Sequence, residues 1–250
     1  MTQYDPKPQI LEKSLEELKY VLNWIKEHED PIHAPITVLI GGWAVYAYNP
    51  YYRSVDIDLV TNKKTKTSLK FYLRTQREFT HHRILHGVKT VSKATEYGDI
   101  IIDFSNKYAH NKFEGRNEEL NFDTLNDQTI TKATIGDVFA DVPTRSLLML
   151  FKLKASWDRS YRLNSETSID HEWERGKLIK DYADIIALLD PVHGGRELDF
   201  NFLGEKFNEF DFLKECLRII PENHDAIEKY NGMDQRKVRE TIERLIQLTD

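Results

Sequence analysis

The spacing of apolar residues divides the chain into two stretches of different character. Leu11, Leu15, Leu18, Leu22 and Ile25 recur in steps of three and four, which predicts a helix over about residues 9–27, with Glu12, Glu16, Glu17, Lys19 and Lys26 largely on its other faces. Asp30-Pro31 breaks that pattern. The apolar run at 36–40 has strand length; Gly41-Gly42 and a short helix at 43–48 follow, stopped by Asn49-Pro50. Residues 55–60 predict a second strand, apolar at Ile57 and Leu59 and acidic at Asp56 and Asp58. After a turn at 61–64, residues 66–78 read as helix, with Leu69, Tyr72, Leu73 and Phe79 inward. Residues 84–95 and 99–105 predict a strand pair around Tyr97-Gly98-Asp99, and 130–142 one or two more short strands beyond a polar excursion at 106–127. Past Pro143-Thr144 only helical spacing remains, over roughly 145–160, 171–189, 199–219 and 234–248. Strands mixed with helices, then helices alone, predict an α+β fold with domains at 1–143 and 144–250, the second helical. The N-terminal helix is expected to pack on the sheet.

Composition narrows the function classes. The 250 residues, 40% hydrophobic and 11% aromatic, suffice for a packed core and do not suit a disordered chain. No apolar run approaches the roughly 20 residues of a membrane helix, and the polar start at 1–6 predicts no secretory signal. Cys216 is the only cysteine, so neither an internal disulfide nor a multi-cysteine metal site is available; a reducing cytoplasm is the expected setting. The net charge of −6 does not attract nucleic acid, so such a partner would need a local basic patch. Lys63, Lys64, Lys66 and Lys70 form one cluster of that kind, although a solvated helix start looks the same in sequence.

Three features carry chemistry. Alternate residues of a strand share a face, so Asp56 and Asp58 are expected to project together, opposite Ile57 and Leu59. Carboxylates so placed suit hard cations such as Mg²⁺, although acids also cluster on any exposed strand. Gly41-Gly42 stands before a helix, where a backbone without side chains admits phosphate; a plain tight turn is the alternative. Asp103 interrupts the apolar strand 100–104, and a buried carboxylate needs a partner or a metal.

The order of these pieces resembles the nucleotidyltransferase fold of the DNA polymerase β superfamily: hG[GS] as Ile40-Gly41-Gly42, thirteen residues, [DE]h[DE]h as Asp56-Ile57-Asp58-Leu59, then a third acid, Asp103, on a later strand. Arg53-Ser54 is similar to the R-x-[ST]-x-D lead-in of some branches, with the arginine one residue closer. In the second half, Lys152-Leu153-Lys154-Ala155 with Arg159 resembles the K-L-x-A-x-x-x-R helix of AbiEii-type nucleotidyltransferases, and 180–185 resembles their [KR]-D-x-x-D-[IL] helix.

The resemblance implies a mixed sheet flanked by helices and followed by a helical domain, with the active site in the cleft between the two parts. It implies transfer of a nucleoside monophosphate from an NTP to a hydroxyl acceptor, such as a tRNA end, a small molecule or a protein. Asp56, Asp58 and Asp103 would hold two Mg²⁺ ions and Gly41 and Gly42 would cradle phosphates. Lys152, Arg159 and Lys180 would offset the triphosphate charge, oriented by Asp181 and Asp184. An antitoxin partner is implied for the AbiEii-like branch, no membrane is, and a nucleotide-binding module without transfer is the rival reading. Helical wheels add a second view. They set Lys177, Lys180, Asp181 and Asp184 opposite a stripe of Leu178, Tyr182, Ile185 and Leu189, as on a solvated, salt-bridged face. They put Lys152 and Arg159 on one face and Lys154 among Leu147, Leu150 and Phe151. Trp43 reads as core, with base stacking as the alternative, and His81, His82 and His86 read as surface residues rather than a metal cluster.

Overall fold

The protein is described by a computed structural model covering residues 6–30, 35–83, 89–135 and 138–249, with the backbone alone at 82, 83, 89 and 133–135. It divides into two compact units: Pro6–Ala109 with Asn121–Thr144, and His110–Leu120 with the chain from Arg145 on. The change of unit after Thr144 falls one residue past the expected boundary, but the excursion at 110–120 goes with the helices rather than with the sheet.

The first unit is built on a five-stranded mixed sheet. Its elements are α1 (Pro8–His28), β1 (Val38–Ile40), α2 (Gly41–Tyr48), β2 (Ile57–Val60), α3 (Lys63–Gln76), β3 (Thr80–Arg83), β4 (Lys89–Thr95) and β5 (Gly98–Ser105), with strand order β1-β2-β5-β4-β3. Among the described residues only β2 and β5 run parallel. A separate hairpin, β6 (Thr129–Ile135) and β7 (Val138–Pro143), completes the unit. The β3 strand takes in His81 and His82, which were expected to precede a strand; His81 is exposed, and His86 lies outside the described residues.

Period-two burial sorts the sheet. Leu39, Leu59 and Phe104 form one row of register partners and Ile57, Ile102 and Val91 the next, all at most 3% exposed. Asp58 and Asp103 project from the other face, half-buried. The first helix does pack on β5 and also meets β7 and α3. Its Ser14 hydroxyl donates to Val55 O (2.7 Å) and accepts from the indole N–H of Trp43 (3.3 Å). Glu17 departs from the predicted solvent face. It is buried, and its carboxylate accepts from Arg77 Nε (3.1 Å), Arg77 Nη2 (3.0 Å) and Lys93 Nζ (2.9 Å), joining α1 to the end of α3 and to β4. The third helix starts at Lys63, inside the expected turn, because Asn62 caps it by accepting from Thr65 N (2.8 Å).

The second unit consists of α4 (Arg145–Asn164), α5 (His171–Leu189), α6 (Phe200–Glu209), α7 (Phe212–Ile219), α8 (His224–Tyr230) and α9 (Gln235–Thr249), with α4 packed along α5. The single helix expected over 199–219 is two. Phe210 leaves helical geometry (φ −128, ψ 63), and Phe210 and Phe212 both reach Phe113 of the 110–120 segment, at ring centroids of 5.1 and 5.0 Å. That contact explains why the polar excursion belongs here. The helix α8 escaped the periodicity because only Ala226 and Tyr230 within it are buried. In α9 Val238, Ile242 and Leu245 are buried as expected, whereas Leu248 is 48% exposed.

Candidate active site

The helix α2 begins at Gly41 itself, directly after β1, so both glycines belong to its first turn rather than to a turn before it. Gly41 has φ +70, which disfavours any residue with a side chain. Space forbids one as well: a Cβ at Gly41 would lie 2.0 Å from Asp58 Oδ2 and 3.1 Å from Asp58 Cβ. The glycine therefore admits the Asp58 carboxylate to the head of α2, where the helix dipole favours negative charge. Gly42 is buried beside it.

Asp58 pairs in register with Ile40 of β1 on one side and with Asp103 of β5 on the other. Because β2 and β5 are parallel neighbours, Asp58 and Asp103 stand side by side on the same face, on backbones about 4.8 Å apart. Asp56 departs from expectation. It lies in a bend just before β2, so strand alternation does not fix its direction with that of Asp58. Among the described residues, no three His, Cys, Asp or Glu side chains stand close enough to hold a metal ion as they are placed. The Asp58–Asp103 pair nonetheless fits Mg²⁺, which is usually bound through one or two carboxylates while substrate phosphates and water complete its shell.

The remaining predicted residues of this unit are Arg53 and Ser54. The Arg53 guanidinium bonds to the Tyr46 hydroxyl and to Glu12 of α1, which hold its pKa above the usual arginine value. Ser54 is buried. Trp43 is fully buried, so the stacking alternative falls away.

The five predicted residues of the helical unit come together in one network. Lys152 Nζ of α4 lies 2.8 Å from Asp181 Oδ1 and 2.7 Å from Asp184 Oδ2, both on α5. Lys180 Nζ reaches the same Asp184 oxygen at 2.8 Å, and Arg159 Nε reaches Asp181 Oδ2 at 2.9 Å. Arg159 and Arg162 both bond Glu174 Oε1, at 2.7 and 2.8 Å, and Arg162 reaches Glu114 at 3.1 Å. This arrangement corrects the solvated face: Lys180, Asp181 and Asp184 are at most 5% exposed. Four cations and four carboxylates balance.

Burial and pairing pull the protonation equilibria in opposite directions. Burial would raise the Asp181 pKa, but Lys152 and Arg159 outweigh it and hold the carboxyl well below its usual range. Asp184 moves the same way: burial raises it, and Lys152 and Lys180 lower it by more. Burial pulls Lys152 down, but Asp181 and Asp184 together lift it above the usual lysine range. Lys180 has only a share of Asp184 and meets the charge of Lys152, so burial prevails and its pKa falls. Lys154 sits apart, paired with Asp158 and with its ammonium 5.4 Å from the Phe113 ring centroid. The sequence reading missed Glu174. Its signal was the spacing 174, 177, 181 and 184, which continues the charged stripe of α5 upstream.

No protein-family model matches the sequence, and a search of curated proteins gives no significant match.

Proposed function

We propose that the protein is a metal-dependent nucleotidyltransferase that moves a nucleoside monophosphate from an NTP to a hydroxyl acceptor. The observation that carries this reading is the register of β2 and β5, which sets Asp58 beside Asp103 on the half-exposed face of the sheet. Like charges placed opposite each other destabilise a sheet, so a neighbouring acid pair marks a position kept for something other than stability. The Gly41 approach supports the same reading, because it fixes one of the two carboxylates against the head of a helix.

Asp58 and Asp103 would hold Mg²⁺, with Asp56 as a third ligand from the bend before β2. When bound, the ions neutralise charge on the triphosphate and lower the pKa of the acceptor hydroxyl. In the reaction the acceptor oxygen attacks the α-phosphorus, the bond to the β-phosphate oxygen breaks and pyrophosphate leaves. Asp103 takes the hydroxyl proton. The first-turn amides of α2 offer donors to phosphate oxygens. A tRNA end as acceptor rests on the family resemblance alone.

The test is incubation with each α-³²P-labelled NTP, Mg²⁺ and total tRNA, in parallel with the protein alone and with aminoglycosides as small-molecule acceptors. Label is expected on one acceptor class, with loss of at least about 100-fold in Asp58→Asn and in Asp103→Asn at unchanged circular dichroism. Transfer that survives both substitutions overturns the assignment, and bound NTP with no transfer to any acceptor favours the binding module.

A further inference from the structure

The sequence KKTKTSLKFYLRTQ of α3 contains five cations and no acid, in a chain whose net charge is −6. The helix places two of them, Lys63 and Lys64, in its first turn, at the positive end of the dipole where acids are favoured. Lys63, Thr67, Phe71 and Arg74 follow in steps of four, four and three, so they form one outward ridge. Phe71 on that ridge is 69% exposed. Lys63, Lys64 and Arg74 are exposed and enter no ion pair among the described residues, in contrast to the matched charges of α4 and α5. Lys66 flanks the ridge, its ammonium donating to Phe104 O (3.3 Å), and Lys70 lies 5.6 Å from the Phe104 ring centroid.

Cations crowded at the wrong end of a helix and an aromatic ring left in water both work against stability. We infer that the outer ridge of α3 is a docking surface for unpaired RNA, with Lys63, Lys64 and Arg74 on the phosphates and Phe71 stacked on a base. Lys63 and Arg74 are eleven residues apart, about 16 Å along a helix, which spans several nucleotides. Charge complementarity selects a polyanion. The single exposed ring selects an unpaired strand, because splayed bases stack on aromatic side chains and this is the usual mode of RNA recognition outside duplexes. An anionic membrane fits less well, since Leu69 and Leu73 are fully buried and a single exposed ring, Phe71, offers little apolar area to insert. The inference does not depend on the transfer reaction.

The experiment uses the full chain and fluorescence anisotropy with a labelled single-stranded RNA 20-mer, the matching duplex RNA, single-stranded DNA and anionic vesicles, each at several salt concentrations. The RNA single strand is expected to bind most tightly. Replacing Lys63, Lys64 and Arg74 together by Gln is expected to weaken binding at least about tenfold and to reduce the slope of log affinity against log salt by about 2, from roughly 0.7 per lost phosphate contact. Phe71→Ala is expected to weaken binding about tenfold and leave that slope unchanged. All four side chains are exposed, so circular dichroism should not change. Absent RNA binding by the unaltered protein, an unchanged slope in the triple variant, or tighter binding to duplex, DNA or vesicles overturns the inference.

Discussion

Replacing Gly41 by Ala tests the contact on which the candidate site is built. The residue has φ +70, and an L-side chain in that region costs about 1–2 kcal/mol. The added Cβ would lie 2.0 Å from Asp58 Oδ2, where real contacts do not fall below 3.0 Å, so the carboxylate must retreat by about 1 Å. Rotation of the side chain cannot clear everything, because Asp58 Cβ would still be 3.1 Å away. Crowding of this kind costs about 1–3 kcal/mol more. The total expected loss is about 2–5 kcal/mol, with the proposed transfer reduced on the order of 100-fold by misplacement of the acid. Urea unfolding can be followed by Trp24 and Trp43 after Trp157→Phe and Trp173→Phe, which confines the signal to the sheet-bearing unit. In an Asp58→Ala background the carboxylate clash is gone and only the 3.1 Å Cβ contact remains, so Gly41→Ala should then cost little beyond the backbone strain. The coupling energy between the two sites is expected to be about 1–3 kcal/mol. Additivity within about 0.5 kcal/mol would refute the close approach.

Three further outcomes follow from packing and charge. Asp181→Asn strips a buried carboxylate from Lys152 and Arg159 and should destabilise the chain by about 3–5 kcal/mol in urea at pH 7. The Asp181 and Asp184 pKa values are both depressed by folding. Their contribution is therefore complete above the ordinary carboxylate pKa of about 3.9 and fades as pH falls below it towards the folded values; the gap between Asp181→Asn and the parent, measured from pH 7 to pH 3, should narrow accordingly. A constant gap would contradict the pairing. Ser14→Ala should cost about 1–3 kcal/mol by leaving Val55 O and the Trp43 indole without their shared hydroxyl, and a change within about 0.5 kcal/mol would count against that bridge.

Local pattern made some of this legible and tertiary context made the rest. The α1 stripe and the apolar row through Ile57 and Leu59 are periodic signals that a chain cannot hide. The bend that removes Asp56 from β2 is not periodic, and the split at Phe210 depends on Phe113, about a hundred residues earlier in the chain. The charged stripe of α5 was misjudged for a physical reason. A wheel shows which side chains share a face but not whether that face meets water or, as here, Lys152 and Arg159 of another helix. Glu17 was misread in the same way, since its cations come from Arg77 and Lys93. Of the candidate site, the residue types were visible and the pairing was not: nothing in the sequence says that Asp58 and Asp103 share a rung.

That rung has a consequence for how the chain matures. The two acids sit on neighbouring strands separated by some forty residues of chain, and the second of these, β5, is the fifth strand to be made. Closing so long a loop is entropically slow, and contacts of this range form after local helices and hairpins. A ribosome that has delivered the glycines and the first acids has therefore not yet delivered the Asp58–Asp103 pair. On the proposed function, the acid pair forms only when β5 takes its place beside β2.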